Sequence, residues 1–251
     1  MIRVLALTVI WGLSATVAYA ADIKVLTTGA FKPAVLAVQS FFERDTGHRL
    51  IVDNDTAGAL ARRIDAGEAF DVLVSSRSGI DEMIARGKVV AGTKTDLART
   101  GIGVMVRDGA AKPDIATAEA FRQALLAAPT VAYIDPASGG SSGIYLAGLF
   151  ERMGIADAIR PKARLKRGGY VSDLVASGEA VLGLHQISEI LPGKGVTYVG
   201  PLPAAVQNYT VYAGGIGSAA RDPAAEKALI DAFASEKAAA LLAGLAMEPP
   251  R

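Results

Sequence analysis

Three times in its first third, the chain runs an apolar stretch into a short polar turn and out into helical spacing. Ile23-Lys24-Val25-Leu26-Thr27 leads into Thr28-Gly29-Ala30 and a helical pattern over residues 31–46. Leu50-Ile51-Val52 leads into Asn54-Asp55-Thr56-Ala57-Gly58 and a short helix over residues 59–65. Asp71-Val72-Leu73-Val74-Ser75 leads into Ser76, Arg77, Ser78 and Gly79. Strands alternating with helices predict an α/β fold with a largely parallel sheet and helices on both faces. In such sheets ligands gather at the carboxyl ends of the strands.

The rest of the chain continues the pattern. Residues 101–106 read as a strand and residues 117–127 as a helix. Val131-Ala132-Tyr133-Ile134 is a strand that enters the glycine- and serine-rich turn of residues 135–143, and helical spacing follows to Met153. Residues 160–166 read as extended, with Arg167-Gly168-Gly169-Tyr170 as a turn and residues 171–177 as a helix. Residues 180–185 are a buried strand and residues 196–199 an edge strand. The Gly200-Pro201-Leu202-Pro203 cluster breaks the pattern before a strand over residues 208–213, and one long helix runs from Pro223 towards Leu245.

Thr28, Thr56, Ser75, Ser142 and Gly168-Gly169 all fall at strand-to-helix turns. Hydroxyls, close-lying backbone and free helix-start N–H groups together suit an anion without requiring Lys or Arg. Each hydroxyl also reads as a plain helix cap.

Charge supports a small ligand. The 26 Lys and Arg nearly match the 25 Asp and Glu, and they are spread thinly, so no concentrated basic face for nucleic acid is expected. Residues 1–20 read as a cleaved signal peptide: Arg3, an apolar core from Val4 to Leu13, and Ala18-Tyr19-Ala20 before Ala21. The mature chain is thus expected to be soluble and exported, with a bacterial periplasm the best fit. With no Cys and two His, no disulfide, zinc cluster or other cofactor is expected, and no phosphate-binding or dinucleotide motif is present. One catalytic pattern matches. Gly139-Gly140-Ser141-Ser142-Gly143 satisfies G-x-S-x-G, with Ser141 as nucleophile, Asp173 as acid and His185 as base. Ser141 and His185 stand closer in the chain than a hydrolase sheet ordinarily allows.

Several segments resemble the molybdate-binding family of periplasmic substrate-binding proteins. They are residues 23–30, Phe41-Phe42-Glu43-Arg44-Asp45-Thr46-Gly47, residues 57–67, Phe70 to Ser75, Ser142-Gly143-Ile144-Tyr145 and residues 175–183. The resemblance implies two α/β lobes, each a mostly parallel sheet flanked by helices, joined by two hinge strands. It places lobe one at residues 21–102 and 205–251, and lobe two at residues 103–204. It implies a non-enzymatic, monomeric receptor that passes a small anion to an ABC permease. The family's two turn serines fall on Ala30 and Ala57, its backbone contacts on Ser142 and on Gly168 or Gly169, and its tyrosine on Gln186. The expected ligand set is Thr28, Gly29, Ala30, Thr56, Ala57, Ser75, Ser141, Ser142, Arg167, Gly168, Gly169, His185 and Gln186. Two ligand classes stay open. One is an oxyanion held by Thr28 and Thr56 in place of the serines; the other is an organic carboxylate paired with Arg167 or His185.

Overall fold

The computed structural model describes residues 20–250, so the expected signal peptide lies almost wholly outside the described residues. In chain order the strands are β1 (Asp22–Thr28), β2 (Arg49–Asp55), β3 (Val72–Ser76), β4 (Thr95–Arg107), β5 (Val131–Ile134), β6 (Ala163–Lys166), β7 (Leu182–Gln186), β8 (Val196–Pro201) and β9 (Tyr209–Ile216). The helices are α1 (Lys32–Thr46), α2 (Ala57–Asp65), α3 (Arg77–Ala85), α4 (Ala118–Ala127), α5 (Ser141–Arg152), α6 (Ala156–Ile159), α7 (Ser172–Ala176), α8 (Ile187–Ile190), α9 (Pro223–Phe233) and α10 (Glu236–Ala243). Among the described residues no helix is long and apolar enough to cross a membrane.

Strands run in the order β2-β1-β3-β9-β4-β7-β5-β6, with β8 also on β4. β1, β2 and β3 are mutually parallel, as are β5, β6 and β7. β9 runs against the first set, β4 against the second, and β4 and β9 are antiparallel to each other. β4 belongs to both halves. Thr95 to Gly101 pair with β9, and Ile102 to Val106 pair with β7. The Gln207 side chain accepts from Ile102 N and donates to Ile102 O, tying the two crossings together.

Two sets of cores flank this crossing. One gathers Val25, Phe31, Val35, Tyr212, Leu229 and Phe233. The other gathers Val104, Phe121, Tyr133, Leu146, Phe150 and Leu184. α1 shows why the sequence folds this way. Pro33 sits in its first turn, where no N–H is needed. Ala34, Val35, Val38, Phe41 and Phe42 fall on one buried face, and Gly47 closes the helix in the left-handed region. Full burial of a side chain such as Phe42 stabilises the fold by about 1.5–3 kcal/mol.

Three local expectations need correction. The last helix is two: it breaks at Ala234, and Ser235 caps α10 by accepting from Ala238 N. Gly200 and Pro201 do not end β8 but extend it along β4, past a register shift at Val104/Met105. The strand expected from Gly101 begins at Thr95, because its first half is the hinge partner of β9.

Candidate functional site

The carboxyl ends of β1, β2, β5 and β7 meet around one cleft between the lobes. It holds about 450 Å³ of empty space, part of it open to solvent. Lobe one lines it with Thr28, Gly29, Ala30, Asn54, Asp55, Thr56, Ala57, Ser76 and Tyr212. Lobe two contributes Ile134, Gly140, Ser141, Ser142, Gly169, His185, Gln186 and Glu189. No lysine or arginine is among these lining residues.

Two helix starts border this space, α2 at Ala57 and α5 at Ser141 and Ser142, and the turn before α1 borders it at Gly29 and Ala30. First-turn N–H groups have no partner within the helix and carry partial positive charge. Ala57 and Ser142 lie in such first turns. Around them are buried side-chain atoms without any partner: Thr28 Oγ1, His185 Nδ1 and Gln186 Oε1. A buried polar atom left unpaired is destabilising by about 1–3 kcal/mol, so three in one cleft mark a place prepared for a guest.

The hydroxyls differ in use. Thr56 Oγ1 is already engaged, capping α2 through Ala59 N and donating to Ser138 O across the cleft at 2.6 Å. Thr28 Oγ1 is free. Ser141 Oγ sits within reach of Gln186 Nε2 at 3.3 Å and Thr210 Oγ1 at 3.4 Å. Ala30 and Ala57 present methyl groups where the resembled family carries serine hydroxyls.

Three expected site residues are not among the lining residues. Ser75 is turned away, packed under α3 near Gly79, and its neighbour Ser76 reaches the cleft instead. Successive strand residues face opposite sides, so a one-residue difference is a change of face. Arg167 extends into solvent with its side chain 88% exposed, 3.4 Å from Asp135, so it does not serve as a cleft cation. Gly168 lies behind Asp55, and only Gly169 lines the space.

The hydrolase triad does not assemble. Asp173 is on the surface, paired with Lys166 at 3.0 Å. His185 Nε2 faces Glu189 Oε2 at 3.2 Å rather than Ser141. The glycine at Gly139 answers to packing and conformation. It adopts φ +80°, and a Cβ there would meet Gly58 Cα at 2.6 Å.

Glu189 was not expected. It stands on α8, four residues after His185 on β7, and both side chains are buried. Its Oε1 occupies the space a Cβ on Gly29 would take, 2.5 Å away, so a lobe-two carboxyl lies against the first turn of lobe one. Burial pushes the Glu189 carboxyl up to about 8 and the His185 imidazole down to about 3. Near neutral pH both are mostly uncharged. Burial also raises the phenol of Tyr212, and the nearby Glu189 adds to the effect. The sequence offers little to single it out: in the run from Leu182 to Leu191, Gln186 and Ser188 are polar as well as His185 and Glu189.

The lobes touch across the cleft. Gly58 N donates to Gly139 O at 3.1 Å, and Ser188 Oγ donates to Ala30 O at 2.8 Å. With the Thr56 bond, these describe a closed clamp.

Comparison with known proteins agrees with this geometry. A curated relative, the aconitate isomerase of a Pseudomonas species, is 35% identical over 231 residues, 90% of this chain and 87% of that one. The molybdate-binding protein of Azotobacter vinelandii is 26% identical over 244 residues, 90% of each chain. The solved periplasmic molybdate-binding protein of Azotobacter vinelandii superposes with a TM-score of 0.73 at 18% identity, over 91% of this chain and all of the other. The expectation of a receptor without catalysis thus meets one relative named for an activity. The family model for bacterial extracellular solute-binding proteins matches residues 23–244. With the two-lobed fold and the closed cleft already established, that match makes the chain a member of the bacterial extracellular solute-binding protein family.

Proposed function

We propose that the protein captures a small organic polycarboxylate, of the aconitate kind, in the cleft between its lobes. The observation that carries this reading is the cleft lining: helix starts, the unpartnered Thr28 hydroxyl, no cation, and methyl groups at Ala30 and Ala57. A compact oxyanion draws on short hydroxyl donors at those two turns, whereas a larger carboxylate gains the room they leave. Glu189, held neutral, lets an anion lie beside it. The relative at 35% identity is named for a tricarboxylate, which supports the same class. In this reading residues 1–20 direct export to the periplasm. The lobes are residues 21–102 with 205–251 and residues 103–204, and a monomer delivers its cargo to an ABC permease.

A second reading is favoured by one contact, Glu189 against His185. Two ionisable groups facing each other in a donor-lined cleft suit proton transfer, so the bound acid is changed rather than only carried.

A melting screen tests the ligand class. At about 100 times its dissociation constant a ligand adds about 2.7 kcal/mol. For a chain this size that is a rise of about 5–11 °C, at about 2–4 °C per kcal/mol. The expected result is a rise with cis- or trans-aconitate, citrate or tricarballylate, and none with molybdate, tungstate, sulfate or neutral sugars. A rise with oxyanions alone would reverse the reading. The double variant Ala30→Ser, Ala57→Ser restores the two hydroxyls and is expected to gain molybdate binding, read by calorimetry. Each bond to a charged group contributes about 1.5–3 kcal/mol.

A further inference from the structure

We propose that Glu189 moves a proton on the bound guest, shifting the carbon–carbon double bond of an unsaturated polycarboxylate by one position. The proposal rests on the carboxylate reading above. Glu189 is the carboxyl that the fold carries from lobe two onto the first turn of lobe one, with Oε1 against Gly29 and Oε2 at His185 Nε2. The other titratable groups around it are His185 on β7, Tyr212 on β9, Tyr170 before α7 and Asp55 at the end of β2. Lys32 on α1 is engaged by Asn54 Oδ1 at 2.7 Å.

The step needs one group that takes a proton from one carbon and returns it to another. Ionised Glu189 removes a proton from the methylene between a carboxylate and the double bond. The C–H pair spreads over the three carbons and onto a carboxylate oxygen. The helix-start N–H groups near Ala57 and Ser142, with Thr28 Oγ1, stand where that charge develops, and such donors act strongly in a water-poor site. Glu189, now a carboxylic acid, gives the same proton to the far end of the three-carbon unit. A C–H bond forms there, the double bond lies one place along, and Glu189 is ionised again. One proton has moved, no electron is gained or lost, and no co-reactant is consumed. In aconitate the shift regenerates the same skeleton, and the lie of the methylene arm decides which geometric isomer forms. His185 is a positioning residue: Nε2–H donates to ionised Oε2 and holds the carboxylate still.

Burial raises Glu189 to about 8, near the range where a carboxyl both takes and gives a proton readily. The ionised form starts the reaction. Turnover therefore climbs about tenfold per pH unit below about 8 and levels above it.

The experiment follows trans-aconitate by proton NMR, with calorimetric binding in parallel, for wild type and Glu189→Gln. Wild type is expected to bind it, convert it to the cis isomer and show the alkaline rise. The glutamine variant keeps the size and a donor. It is expected to bind within about tenfold and convert at least about 100-fold more slowly, the usual share of a positioned acid–base group. Binding by wild type without conversion anywhere from about pH 6 to 9 overturns this inference and leaves the carboxylate reading standing. Absence of binding overturns both. Conversion at the wild-type rate by the glutamine variant removes Glu189 from the step. If that variant does not fold, Glu189→Asp replaces it. This variant keeps an ionisable group but withdraws it by one methylene, so slowed conversion with a displaced pH rise is expected, and an unchanged rate and profile counts against the proposal.

Discussion

The melting temperature of the unliganded protein is expected to fall by about 4–8 °C between pH 6.5 and 8, and Glu189→Gln should abolish the fall. The sign follows from the raised carboxyl. The folded state holds its Glu189 proton up to about pH 8, whereas the unfolded chain releases it near 4.5. Stability from this group is complete below 4.5 and is lost as pH rises through about 8. His185 works in the opposite direction at lower pH. Its folded value is depressed to about 3, so its contribution is present above 6.5 and fades as pH falls. Between 6.5 and 8 only the carboxyl acts. A difference of one proton over that interval is about 2 kcal/mol, at about 1.4 kcal/mol per pH unit. Calorimetric melts in buffers of matched ionic strength give the slope directly. A wild-type profile as flat as the variant's would mean that Glu189 is already charged in the folded protein.

Gly58→Ala is expected to weaken capture of cis- or trans-aconitate by about 5- to 150-fold. Gly58 is in the first turn of α2, where alanine is the better helix former. Its backbone needs no left-handed angle. The obstruction arises only across the cleft, where a Cβ would stand 2.8 Å from Gly139 Cα and 3.0 Å from Ser138 O. Such overpacking disfavours the closed arrangement by about 1–3 kcal/mol, and each 1.4 kcal/mol is tenfold in affinity. Titration calorimetry gives the affinity, and small-angle scattering with saturating cis- or trans-aconitate checks the cause. The variant should fail to contract where wild type does. Unchanged affinity would show that the Gly58–Gly139 approach is not needed for holding the guest.

The alternation of strands and helices was legible because it depends on local spacing. α1 shows this: its apolar positions, first-turn proline and closing glycine all sit within seventeen residues, from Phe31 to Gly47. The turns were legible for the same reason, and most of them do face the cleft. What failed depended on direction or distance. Ser75 and Ser76 cannot be told apart without the register of β3 against β9. Arg167 carries its charge outward, which spacing alone does not reveal. Tyr212 reaches the cleft from a strand far along the chain. Glu189 was hidden most completely. Its chemistry comes from burial against the other lobe, and four residues of helix give no periodicity to read.

The place of β9 has a consequence for how the chain is made. It lies between β3 and β4, although it is the last strand to be synthesised. Phe31, Val72 and Val74 share their core with Tyr212, Leu229 and Phe233, from strands and helices that emerge only at the end. The first lobe to leave the ribosome is therefore the last able to settle, and its early strands wait with one edge unpaired. Long-range pairing of this kind is slow to form. The opening third of the chain thus completes its sheet only when the last strand and the helices after it arrive.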